Sequence, residues 1–375
     1  MAIAFLVSST FTRDWQWTRD AWFRVAVIFW LWLVLASAVS EWPGHALGAS
    51  LPWVRFPVFA AAMAAWLARS DGLRDRMLTT CMLGTLFLMG VLFVERATHP
   101  DLLRLYGTWD QGAKAGWYML GLGTPVAMWA LHKFQSRTRA WLWAGPLALG
   151  TVVATIATGE VYVSVSFVFG LCLFVLFGGL WTRYSVGLMA LTVVAVLSVL
   201  QTNEGLTTRF TTEAMTRLPW LPSSDYYDGW AGGLRVALSN PVLGVGADNF
   251  ESYCKSRRED AHSEMLGFRQ CLTHPHQMYI QVFSETGAPG LLLFLALAAT
   301  LLFALMQAFR DATVPRPAGA AALAIGIMVF WPISTYSNAF GQHRNFFTWF
   351  LIAWALASIR AKCPTPPSGA DPKTS

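Results

Sequence analysis

The residues best suited to chemistry lie between 273 and 291, in the stretch THPHQMYIQVFSETGAPGL. His274 and His276 flank Pro275, and Gln277 leads into a run of apolar and small polar residues with helical periodicity. Proline fits the first position of a helix, with Thr273 or His274 as its cap. That placement puts His276 in the first turn, where unpaired N–H groups and the positive end of the helix dipole disfavour an imidazolium. A ring kept neutral there can accept a proton from a hydroxyl, and the same N–H groups suit a phosphate oxygen. The blander alternative is a pair of histidines that merely cap a re-entrant helix at a membrane surface. Gly287 followed by Pro289 should end this helix, and a long apolar helix begins at residue 288. At 100° per residue His276, Ile280, Phe283 and Gly287 share a face, and Glu285 falls on the opposite one. Glu285 is therefore not the carboxylate that orients this imidazole.

The elements that must position these residues are membrane helices. Of the 375 residues 55% are apolar and 13% charged, with 19 Trp and 25 Phe. Soluble domains carry about 25% charged residues, so the composition predicts an all-α polytopic membrane protein. Runs of about 20 apolar residues, enough to cross a ~30 Å hydrocarbon layer, fall near 21–40, 51–68, 77–94, 117–133, 140–158, 161–180, 185–202, 288–309, 318–337 and 344–361. The clearest charge within them is Arg55.

Lys and Arg concentrate on cytoplasmic connectors, and alternate connectors here hold Arg13 and Arg19, Arg69, Arg74 and Arg76, Lys133, Arg137 and Arg139, Arg183, Arg310 and Arg316, and Arg360 with Lys362. Both termini are then cytoplasmic and the segment near 203–287 is external. No cleavable signal sequence is evident. The expected organisation is residues 1–202 as seven helices, 203–287 as an external loop and re-entrant helix carrying the site, 288–361 as three more helices, and 362–375 as a disordered cytoplasmic tail. The external segment is read as a cap folded onto the helices. The net charge of +6 reports orientation, and no nucleic-acid partner is expected.

Cys81 and Cys172 read as small core residues inside helices, and Cys363 as cytoplasmic. Cys254 and Cys271 both lie on the external segment. In an oxidising compartment they can pair across a loop of about 17 residues, worth roughly 3 kcal/mol; otherwise they are two unrelated thiols.

The spacing around His276 is more specific than the residue types. His276-Gln277, nine residues, then Gly287-Ala288-Pro289-Gly290 resembles the signature of the O-antigen ligase and O-antigen polymerase superfamily of integral-membrane glycosyltransferases. Upstream, Gly233-Leu234-Arg235 through Asn240-Pro241-Val242-Leu243-Gly244-Val245-Gly246 resembles that family's loop, an Arg followed by a Pro-x-x-Gly-x-Gly stretch. The resemblance implies transfer of a glycan from an undecaprenyl-diphosphate carrier to a hydroxyl acceptor, lipid A–core or another, at the periplasmic face of a bacterial inner membrane. It implies no cofactor and no metal; only His262 and Glu264 have a spacing that suggests otherwise. His276 matches the catalytic base, and Arg235 matches the loop Arg, the second catalytic residue, whose planar fork suits phosphate oxygens and would stabilise charge on the departing diphosphate.

The family's second Arg, at the outer end of an earlier helix, corresponds here to Thr158-Gly159-Glu160-Val161, an acid in place of a base. Another cation must then face the phosphates. Arg209 is favoured, ahead of Arg217, Arg269 and Arg344. With His274, Gln277 and Glu160, the residues Arg209 and Arg344 make up the expected substrate-binding set. The glycines of 241–246 either bring backbone N–H groups to phosphate or form a plain turn. Tyr226, Tyr227, Trp220 and Trp230 are candidates for sugar stacking.

Ligation to lipid A–core is the leading reading, with polymerisation of carrier-linked repeats and protein O-glycosylation sharing its chemistry. A flippase or other transporter is the rival from a different class. Its expected mid-membrane charges and inverted repeats are not evident here.

Overall fold

A computed structural model of the chain describes residues 2–107, 114–135, 141–216, 218, 220–259, 271–332 and 338–360. Arg217, Arg269, His262, Glu264, Cys363 and the expected tail at 362–375 lie outside the described residues. All regular structure among the described residues is helical. The first half comprises α1 (Ala2–Thr12), α2 (Ala21–Ala38), α3 (Pro43–Ser50), α4 (Arg55–Arg69), α5 (Asp71–Thr98), α6 (Ala115–Gln135), α7 (Trp141–Ala157), α8 (Val161–Phe177) and α9 (Arg183–Thr202). Two short helices, α10 (Glu204–Thr208) and α11 (Ala214–Thr216), flank a π-helical turn at Arg209–Glu213. Then come α12 (Asp225–Ser239), α13 (Phe250–Glu259), α14 (Met278–Arg310), α15 (Arg316–Val329) and α16 (Gln342–Arg360).

Each expected span begins on or within a helix, that near 318–337 only as far as Val329, and among the described residues five helical runs are long and apolar enough to cross a membrane: Ala21–Ala38, Pro43–Arg69, Asp71–Thr98, Tyr184–Thr202 and Met278–Arg310. Helices α7 and α8 have 17 residues each, about 26 Å at 1.5 Å per residue, and α15 is shorter still. Helix α16 spends its first turn on Gln342, His343, Arg344 and Asn345, all polar. The second span begins earlier than its hydropathy suggested, because Pro43 and Pro52 each open a helical turn that feeds α4. Arg55 sits exposed at the start of α4, within the run Pro43–Arg69, as the sequence placed it. Cys81 is buried as expected, whereas Cys172 is exposed on the outside of α8.

Packing follows the means available in lipid, where small residues let helices approach and aromatic rings fill the gaps. Ala60, Ala61, Ala62 and Ala64 of α4 are fully buried. Phe29 of α2 meets Trp53 at 5.1 Å and Phe294 of α14 at 5.6 Å, and Trp53 meets Trp349 of α16 at 5.7 Å.

Among its described residues, the segment 203–287 that was expected to be an external loop is largely helical. Cys254 of α13 and Cys271 form a disulfide with Cα atoms 5.6 Å apart. Helix α14 breaks at Gly287 (φ 69°, ψ −177°), as the glycine–proline signal predicted. Residues 241–246 cross it at the break. There the Val245 and Gly246 amides donate to the carbonyls of Ser284 and Glu285 (3.0 and 2.9 Å), and the Ala288 amide donates to Pro241 O (2.7 Å). Trp32 Nε1 donates to Thr286 O at 2.8 Å. Carbonyls orphaned by the break are thus satisfied by the loop and by α2, as buried backbone requires. Gly244 and Gly287 are needed because a Cβ on either would strike the other segment's backbone, at 2.3 Å from Glu285 C and 2.1 Å from Val242 O. Of the two readings for these glycines, the structural one applies: the amides of 244–246 are spent inside the protein.

Candidate active site

The site is assembled at the ends of α5, α6, α7, α8, α9 and α16. Its floor is the connector 99–107, laid over the α7–α8 turn. Buried Arg96 donates to the carbonyls of Ala157 (2.8 Å) and Leu102. Glu95 accepts from the amides of Tyr106 and Gly107 at 2.9 and 2.8 Å, and Leu105 N donates to Thr158 O at 2.9 Å. Gly159 (φ 74°) lies so close to this connector that a Cβ would be 2.0 Å from Leu103 O. Glu95 and Arg96 thus serve to hold the connector, and they bring Arg104 to the mouth of α8.

Glu160 is the N-cap residue of α8 and is surrounded by three guanidinium groups. Arg104 lies 3.5 Å away, and Arg209 and Arg344 are both close enough to act on its charge. Burial pushes the Glu160 carboxyl above its ordinary range, and the charges of Arg104, Arg209 and Arg344 pull against that shift. Arg209 opens the π-helical turn, and its buried side chain donates to Gly159 O (3.1 Å) and to Glu213 (2.6 Å). Arg344, also buried, has its guanidinium carbon over the Trp117 ring at 3.9 Å and over Tyr162 at 5.1 Å. This stacking suits a guanidinium, which is planar and weakly hydrated. A concentration of positive charge around one carboxylate is an anion site already occupied by a side chain.

The histidines border this cluster. The His274 ring lies 4.2 Å from that of His276, and Tyr226 of α12 packs edge-on against His276 at 5.1 Å. His274 Nδ1 is 2.8 Å from Thr273 Oγ1, and its buried Nε2 has no hydrogen-bond partner among the described residues. Burial, then the neighbouring His276 and Arg344, lower His274 to about 3, so it stays neutral at any physiological pH. The cluster therefore runs continuously from Arg104 and Arg209 through Glu160 and Arg344 to His274 and His276.

The helix start differs from the expected one. His276 has φ 58°, a left-handed conformation no helix continues through. Helix α14 begins at Met278, capped by the Gln277 side chain, which accepts from Ile280 N at 2.6 Å. His276 thus stands on a strained turn just ahead of the helix, of the kind often found at functional sites. Gln277, expected to touch substrate, is 6% exposed and also donates to Pro332 O at 2.9 Å; it holds the turn in place. Glu285 is fully buried and accepts from Asp248 N (2.6 Å) and Gln281 (3.1 Å).

Arg235 is half-buried on α12. That helix meets the histidine turn through Gly229 and Gly233, where a Cβ would approach Pro275 within 2.9 Å and 2.8 Å. Arg235 is two residues past Gly233, about 200° around the helix, so its backbone position is on the other side from His276. The structure thus gathers Glu160, Arg209, Arg344, His274 and His276, buries Gln277 under the turn, and sets the Arg235 backbone on the other side of α12 from the histidines. Sequence reasoning missed Arg104, Trp117 and Tyr162. Arg104 was masked by the mixed charges of its short connector, and the two aromatics resembled ordinary interfacial residues.

Residues 143–295 match the family model for O-antigen ligase. The matched stretch includes Glu160, Arg209, Arg235, His274 and His276; Arg104 and Arg344 lie outside it. No curated protein matches the chain. With several apolar helices of membrane-spanning length, the chain is a multi-pass membrane protein, and the part that holds most of the site is similar to the O-antigen ligase family, a family of membrane glycosyltransferase-like enzymes.

Proposed function

We propose that this protein transfers a glycan from an undecaprenyl-diphosphate carrier to a hydroxyl of lipid A–core, at the periplasmic face of the inner membrane, with all ten expected spans crossing the bilayer. The observation that carries the reading is the joined cluster of three arginines and two histidines at one end of the helices, in a chain whose residues 143–295 match the O-antigen ligase family. His276 accepts the proton of the acceptor hydroxyl as its oxygen bonds to the anomeric carbon. The bond from that carbon to the diphosphate breaks, and the departing oxygens gather charge. Arg209 and Arg344, already desolvated and fixed by Glu213 and Trp117, take up that charge at no cost in reorganisation. Arg104, more exposed, adds a third cation at the rim. Glu160 keeps the arginines together until the donor arrives, and His274 acts only as a neutral hydrogen-bonding group. Arg235 meets the donor before the chemistry, from the far side of α12.

The test is complementation of a Gram-negative strain lacking its own ligase, following lipopolysaccharide and carrier-linked glycan by gel at matched membrane abundance. Wild type should restore the polymer ladder, and His276→Ala and Arg209→Ala should abolish it. A ladder that stays absent while the carrier-linked glycan changes in length would assign the protein to polymerisation instead.

A further inference from the structure

Helix α12 is apolar on two opposite sides. One side packs on the protein: Gly229 and Gly233 against the histidine turn, with Val236 and Ala237 fully buried. Val236 joins a small core with Val245, Phe250 and Tyr253. The opposite side carries Leu234 and Leu238, one helical turn apart, and Leu238 is 64% exposed. The exposed apolar surface continues through Val242, 61% exposed, and Leu243. A helix in an aqueous loop has no physical reason to keep a second apolar side in water.

The level of this surface is fixed by its neighbours. Val242 lies against Gly287, at the point where the long apolar part of α14 begins, and on that part Leu292 and Leu295 are exposed as well. Ala247 N is bonded to Ser37 and Asn249 to Ser40, at the end of α2, another run of spanning length. The segment 242–249 is thus tied to the ends of two spans at once, which sets the exposed Leu238, Val242 and Leu243 at the level where the exposed apolar residues of α14 begin. Arg235 and Asp228 flank this side of α12, about 80–100° from its centre. A cation on that flank sits at the depth of lipid phosphates.

We propose that the Leu234–Leu243 side of α12 is embedded in the bilayer leaflet on the site side, so that phospholipid, not water or a protein partner, covers it. This makes α12 a shelf between the lipid and the histidine turn. A lipid-linked diphosphate sliding in the leaflet would pass Arg235 on its way to His276. The proposal rests on the chain crossing a membrane and needs no assumption about the glycan or acceptor.

The experiment uses the full chain in phosphatidylethanolamine–phosphatidylglycerol proteoliposomes, with Cys81, Cys172 and Cys363 replaced by alanine and the Cys254–Cys271 disulfide kept. A bimane probe is placed singly through Leu238→Cys, Leu292→Cys as the spanning control, and Lys255→Cys as the aqueous control. Nitroxide-labelled lipid should quench the Leu238 probe at least threefold more than the Lys255 probe and within about twofold of the Leu292 probe. Aqueous iodide should rank them in the reverse order. A Leu238 probe that follows the Lys255 probe overturns the proposal, as does one quenched by neither agent, which would mean that protein covers this side. No turnover is measured, so failure here is separate from failure of the transfer reaction.

Discussion

Replacing Gly287 with alanine should detach the loop that carries the site from the helix beneath it. Gly287 has φ 69° and ψ −177°, a region open essentially to glycine alone and costing other residues about 1–3 kcal/mol. The added Cβ would lie 2.1 Å from Val242 O and 2.3 Å from Val242 C. Both are backbone atoms, so no side-chain rotation relieves the clash, and overpacking of this kind costs about 1–3 kcal/mol. If the loop retreats instead, it gives up the bonds from Val245, Gly246 and Ala288, at about 1 kcal/mol each. The combined loss is on the order of 5 kcal/mol, a large part of the ~5–15 kcal/mol that holds a typical protein folded. The control is Gly90→Ala in α5, where a Cβ meets nothing within 4 Å and alanine should be neutral or slightly better. Thermal unfolding in detergent, with hydrogen exchange at the Val245 and Gly246 amides, reports both variants. Equal stability and equal amide protection in the two would refute the crossing as the element that positions the site.

Three further outcomes are expected. His274, held neutral to about 3, has a folded pKa below its ordinary ~6.5; its contribution is present above that value and lost as pH falls. By pH 5 the loss is up to about 2 kcal/mol, and His274→Asn should flatten the fall in melting temperature between pH 7.5 and 5. An unchanged slope would remove His274 as the buried neutral group. Glu160→Gln leaves three guanidiniums without their shared counter-charge and should lower kcat at least tenfold, whereas Glu160→Asp should stay within about threefold; equal rates would dismiss its role in holding the arginines. Cys254→Ser paired with Cys271→Ser opens a 17-residue link and should cost about 3 kcal/mol. A calorimetric melt unaffected by that change would show that the loop is held by its packing alone.

Much of the fold was legible because its signals are local. Hydropathy located the helices, and Gly287 with Pro289 marked the break in α14. Which helices are long enough to cross was less legible, because polar first turns such as Gln342–Asn345 shorten a span without altering its average hydropathy much. The start of α14 was misread because Pro275 is a good helix opener in isolation. Gln277 instead caps the helix with its own side chain, and His276 is left on a left-handed turn that only the packing of α12 can enforce. The charge cluster was half legible: Glu160, Arg209 and Arg344 each stood out, but Arg104 reaches Glu160 only because Glu95 and Arg96 fold the connector over the α7–α8 turn. Contacts between residues far apart in sequence leave no periodic trace.

The most direct measurement of the central claim is transfer by the purified protein in proteoliposomes, given an undecaprenyl-diphosphate-linked glycan and lipid A–core, with chelator present. Wild type should form the ligated product, and His276→Ala should lose at least a hundredfold in kcat while still binding the donor, as removal of a general base requires. A His276→Ala variant that turns over at the wild-type rate would contradict the account, as would wild-type activity that vanishes with chelator and returns with a divalent metal.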